Sequence, residues 1–126
     1  MGRLAVALIA YAAAALAHHA HNAHFLDHYP NMPAWLSPAG VYLAWLLATA
    51  VGAAGYVLLR RNHRALGMAA LFCYGVYGLD ALLHYLVAPF SAHTPAMHAT
   101  IAMEAATAAV LLATLAWIGF SSRSAR

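Results

Sequence analysis

Apolar residues run along this chain in four long blocks separated by short polar or proline-bearing segments. The first block begins at Leu4. It stays compatible with helix as far as His28, because neither Pro nor Gly interrupts it before Pro30. The other blocks cover residues 40–59, 65–87 and 96–120. With flanking residues added, the pattern predicts helices at about 3–28, 40–60, 65–88 and 95–120. The last three are each long enough to cross a hydrocarbon core of roughly 30 Å.

The connectors agree with this division. Residues 29–39 hold Pro30, Pro33 and Pro38 and read as an ordered loop. Arg60-Arg61-Asn62-His63-Arg64 is a tight basic turn, and residues 88–95 form a short loop bracketed by Pro89 and Pro95. Pro95 suits the first turn of the following helix, where its missing N–H costs nothing. No solenoid repeat or low-complexity linker is visible, and the alanine run at 12–15 reads as a close-packing helix.

Composition narrows the class. Of 126 residues, 65% are hydrophobic and only 7% charged, with a mean hydropathy of +0.72. That is too little charge to cover a soluble domain. The expected fold is all-α: one integral membrane bundle of four transmembrane helices over residues 1–126, in contact with membrane lipid. The formal charge of +3 comes from arginines beside apolar spans, so it points to orientation and not to nucleic acid. Arg3, Arg60, Arg61, Arg64, Arg123 and Arg126 all fall on one side of a four-span bundle. The positive-inside rule then makes both termini cytoplasmic, as in a bacterial inner (plasma) membrane. Tyr29, Trp35, Tyr42, Tyr85 and Phe90 would form the outer aromatic belt, and Tyr56, Trp117 and Phe120 the inner one. An alternative is that residues 1–17 are a signal peptide ending in Ala15-Leu16-Ala17. Cleavage there would leave three spans and a chain beginning at His18. The lone Cys73 lies in an apolar run and reads as a small buried residue.

Nine histidines are the anomaly, because an imidazole in lipid is costly unless paired, hydrated or ligating. Counted at 1.5 Å per helical residue from the arginines, His18, Asp80 and Glu104 lie roughly 22, 24 and 28 Å up. Three helices therefore place ionisable groups in one outer layer, with His84, His21, His24 and His98 near or above it. Cys73, Tyr77, Asp80 and His84 share one helical stripe, so Asp80 and His84 can reach one ion or each other. Met97, Thr100, Glu104 and Thr107 share another, while His98 lies about 120° around the helix from Glu104. Tyr11, His18 and Asn22 share a face of the first helix.

A carboxylate in hydrocarbon must be neutral, paired or metal-bound. No Lys or Arg lies on that side, so histidine is the available partner. The candidate metal ligands are Asp80, His84, His98, Glu104, His18 and His21, a donor set that suits copper first and zinc or iron second. Met97 and Met103 could add soft donors, although methionine at this spacing is more often packing. Glu104 could instead be a protonated acid bonded to Thr100, and the exposed histidines could simply be solvated.

Asp80-Ala-Leu-Leu-His84, followed after Thr94-Pro95 by His98, resembles the membrane metal site in the C subunit of particulate methane and ammonia monooxygenases. The likeness covers about 20 residues. It implies copper within the membrane near the outer face, held by Asp80, His84 and His98. It also suggests a small subunit of a membrane oxidoreductase or a metal-handling system.

Other functions remain open. His18 and His84 could be axial ligands of haem b. Asp80, Glu104 and the histidines could form a proton relay, although the inner half offers little beyond Thr49 and Thr114. The chain could also be a structural subunit of a homo-oligomer or larger membrane complex, with Gly67, Gly75 and Gly78 allowing close helix contact. No Ser-His-Asp arrangement, phosphate loop or nucleotide fingerprint is present, so an enzymatic activity is neither indicated nor excluded.

Overall fold

The computed structural model describes residues 2–121. Its elements are α1 (Gly2–His24), α2 (Pro38–Arg60), α3 (Arg64–Tyr77), α4 (His84–Val87) and α5 (Pro95–Ser121). Short 3-10 turns lie at Leu26–His28, Asp80–Leu83 and Phe90–Ala92. Four segments are long and apolar enough to span a membrane: α1, α2, the run Arg64–Val87, and α5. The chain is an all-helical membrane protein.

Local chemistry sets the helix limits. α1 stops short of the expected residue 28 because Pro30 drives Tyr29 into an extended conformation, and Leu26–His28 tightens into a 3-10 turn. Ser37 caps α2, its hydroxyl accepting from the Gly40 N–H at 3.1 Å, and Pro38 fills the first helical position. At the other end of α2 the N–H of Asn62 bonds the Leu59 carbonyl and the N–H of His63 bonds the Leu58 carbonyl. This is a Schellman cap, with Asn62 in the left-handed conformation at φ 64°.

The described arginines share one end of the bundle. The Arg3 guanidinium lies 5.6 Å from the Trp117 ring, and Arg64 donates to the Ile118 carbonyl at 3.3 Å. Arg60 and Arg61 close the turn beside Arg64. Arg123 and Arg126, counted with them above, lie outside the described residues. The opposite end carries the histidine-bearing connectors.

α1 packs on α5 and α2 on α3, with α1–α2 and α3–α5 contacts closing the ring. The main core is built from Leu4, Ala7, Tyr11 and Ala15 of α1, Leu71 and Tyr74 of α3, and Ala108, Leu111 and Leu115 of α5. A second cluster of Tyr29, Ala81, Met97 and Ile101 closes the histidine end. Small residues set the helix spacing, as expected where lipid supplies no hydrophobic drive between helices. A Cβ on Gly67 would meet the Gly55 carbonyl at 2.8 Å, so α2 and α3 touch backbone to backbone. Cys73 is exposed on the α2–α3 groove and not buried. The lipid it faces is itself apolar, so an apolar position need not be an interior one.

The third span is not one continuous α-helix. It breaks after Tyr77 at Gly78, where a Cβ would sit 2.4–2.6 Å from the Tyr11 ring and hydroxyl. The tighter 3-10 winding of Asp80–Leu83 takes the Cys73–His84 stripe out of register. Gly78→Ala is expected to lower stability by about 1–3 kcal/mol through overpacking against Tyr11. Its effect should be non-additive with Tyr11→Ala in a double-mutant cycle, read by thermal unfolding in detergent. Gly119→Ala, where a Cβ meets nothing within 4 Å, should show no loss.

Candidate metal centre

The close approach of α1 and α5 sets three polar side chains together. Among the described residues, His18, His19 and Glu104 form the one group of three or more His, Cys, Asp or Glu whose ligand atoms lie within 4.8 Å of one another. All three are buried, Glu104 completely.

Hydrogen bonds hold both imidazole rings. His19 Nδ1–H donates to the Ala15 carbonyl at 2.8 Å, since a carbonyl can only accept. That leaves its Nε2 as the lone-pair nitrogen, 3.5 Å from the Tyr77 hydroxyl. A backbone carbonyl orienting one nitrogen so that the other can ligate is a common arrangement around protein-bound metals. His18 Nδ1 shares a hydrogen bond with Glu104 Oε2, and its Nε2 shares one with the Asn22 amide at 3.1 Å. His19 Nδ1 stands 4.0 Å from the same Glu104 oxygen. Glu104 Oε1 is buried without a hydrogen-bond partner, as is the Tyr11 hydroxyl. A carboxylate with one bonded and one bare oxygen retains a lone pair aimed into the protein, which a metal ion would satisfy.

The group opens onto a cavity of about 560 Å³. Asp80, His84 and Tyr77 continue its polar wall, and Met32, Pro33, Trp35 and Leu36 of the connector form an apolar mouth. Asn31 holds this connector in place by donating to the Val87 carbonyl at 2.7 Å.

The sequence-derived candidates fall into two sets. His18 and Glu104 are in the buried group, and Asp80 and His84 line its cavity, with the His84 ring 5.2 Å from that of His18. His21 turns away, its Nδ1 hydrogen-bonded to the Tyr29 hydroxyl at 2.8 Å. Burial pushes the Tyr29 phenol up to about 12, so it keeps its proton throughout the neutral range. His98 lies against Phe90, ring centroids 3.8 Å apart, with its Nδ1 bonded to the Tyr85 hydroxyl at 2.8 Å. Asp80, His84 and His98 are not gathered within 4.8 Å of one another.

Two expectations change. Glu104 bonds His18 and not Thr100, whose hydroxyl is engaged by the Ala96 and Met97 carbonyls of its own helix. Met97 is a core residue, its sulfur accepting from the Thr94 N–H at 3.4 Å, and Met103 is exposed. His19 was missed. Its one sequence signal is adjacency to His18, which lets two rings flank a single helix edge. No protein-family model, curated protein or solved structure matches the chain.

Removing one partner of a buried hydrogen-bonded pair strands the other. His18→Leu and Glu104→Leu are each expected to lower the stability of metal-free protein by about 1–3 kcal/mol. The double variant should lose less than either alone, because both polar groups are gone. Thermal unfolding in detergent checks this, and simply additive losses would show that the pair does not interact.

Proposed function

We propose that this chain is an integral membrane metal-binding protein whose centre is His18, His19 and Glu104. The observation that carries the reading is the burial of two imidazoles and a carboxylate within mutual ligand reach, beside a cavity with a polar wall. Two nitrogens and one oxygen suit a borderline divalent ion such as Cu(II), Zn(II) or Fe(II), and the intrinsic order of affinities puts Cu(II) first. Three protein ligands leave coordination positions open toward the cavity, which is compatible with metal handling or with a subunit of a membrane oxidoreductase. Asp80 and His84, two of the residues in the monooxygenase-like motif, border the centre instead of forming it. Placing the arginine end in the cytoplasm would put the metal near the periplasmic face.

The haem alternative has less support. His18 and His84 stand in edge contact at 5.2 Å between ring centroids, which leaves no slab for a macrocycle between them.

Elemental analysis of detergent-purified protein should find about one transition-metal ion per chain, as a single three-ligand site implies. His19→Ala and Glu104→Gln should reduce this to background. Asp80→Asn, in the cavity wall, should weaken affinity by about tenfold to a hundredfold, as outer-shell changes do. Full metal content in His19→Ala and Glu104→Gln, with loss in Asp80→Asn and His84→Ala, would overturn the assignment.

A further inference from the structure

Three of the remaining histidines at this end form a row with His18. Ring centroids step from His98 to His93 by 5.8 Å, from His93 to His84 by 6.2 Å, and from His84 to His18 by 5.2 Å. The row starts at half-buried His98 near the beginning of α5 and ends on the buried centre.

His93 is the informative member. It is only 7% exposed, and its Nδ1–H donates to the Pro89 carbonyl at 3.1 Å. Its Nε2 is therefore the lone-pair nitrogen, and that atom is buried with no hydrogen-bond partner. A stranded buried acceptor costs on the order of 1–3 kcal/mol, and packing alone does not require it. The same ring contacts both His84 and His98, so the bare nitrogen belongs to the middle rung of the row.

We infer that His98, His93 and His84 form a loading path that hands a divalent transition ion from the histidine end of the bundle to His18, His19 and Glu104. This rests on the metal-binding reading above. On the connector side of the cavity, Met32, Pro33, Trp35 and Leu36 offer no nitrogen or oxygen side-chain ligand, only the soft Met32 thioether. An ion there would shed water against apolar walls, which is expensive. Along the row each step is a ligand exchange: one imidazole lone pair replaces another, and the ion keeps its oxidation state.

A path differs from a site in its kinetics. Since Kd is the ratio of off-rate to on-rate, removing a rung slows entry and exit by the same factor and leaves Kd unchanged. Removing a ligand changes Kd. The test is stopped-flow loading of metal-free full-length protein in detergent with Co(II), followed by its d–d absorption, and unloading into excess chelator. His93→Phe keeps an aromatic ring of similar size in the cluster, and His98→Gln alters a half-buried position while keeping a polar side chain.

In both variants loading and unloading should slow by about tenfold or more, with Kd within about threefold of wild type. Wild-type rates in both, with Co(II) still bound, would overturn the path and leave the centre standing. Equal occupancy loss in both variants would make these residues ligands and also overturn it. A wild-type protein that binds no Co(II) and no Cu(II) would overturn the metal reading, and the path with it.

Discussion

A carboxylate held at the centre of an apolar helical bundle, with no lysine or arginine near it, is the constraint around which the histidine end is organised. Glu104 is completely buried on α5, while the described arginines lie at the opposite end. Only imidazoles are within reach. His18 meets Glu104 directly, Asn22 one turn on engages the far nitrogen of His18, and Ala15 one turn back holds His19. One acid on α5 thus accounts for a polar run along α1 that would otherwise be costly in lipid.

That contact requires α1 to lie close to its neighbours, which the small residues permit. Tyr11 packs onto Gly78, with its ring 4.4 Å from that of Tyr74. Gly52 and Gly55 bring α2 against Tyr74 and Leu71. Close packing therefore runs from the arginine end to the middle of the bundle. Beyond Gly78 the third span changes to 3-10 winding, and the proline-rich connector, tied down by Asn31, covers the space that remains. The cavity is the consequence of tight packing below and irregular backbone above. Irregular backbone at this depth is tolerable where it lines a polar cavity and not lipid.

The sequence made the four spans, their connectors and the arginine end legible, because each depends on local pattern: apolar length, proline placement, charge. It also placed His18, Asp80 and Glu104 in one layer, since depth along a helix is simple arithmetic. What it did not show is which faces meet. Glu104 was open between a partner on its own helix and one across the bundle, and only the α1–α5 contact decides for His18. His19 needed the same contact, together with its bond to Ala15. The Asp80–His84 stripe assumed continuous α-helix, and the break falls at Gly78, where Tyr11, far away in sequence, packs closely. Periodicity does not report such a change of winding. Both residues nevertheless face the cavity, because a short 3-10 turn shifts side chains without moving the chain to another face of the bundle.

Charge balance connects the buried group with the cavity wall and bears on which ion the centre would take. Two neutral imidazoles and one ionised carboxylate carry a net charge of minus one. A monovalent ion would neutralise the three ligands by themselves, but Asp80 lines the same cavity and adds a second negative charge when ionised. A divalent ion with Glu104 and Asp80 both ionised is neutral overall, which suits a region walled by apolar helices where net charge is costly. Asp80 then needs no direct bond to the ion to matter, since in a low-dielectric surrounding its field acts across the cavity. The donor atoms agree: nitrogen and oxygen without thiolate or thioether favour a borderline divalent ion over soft Cu(I). Charge and ligand softness are independent properties of the site, and in the proposed reading both would favour the same class of ion.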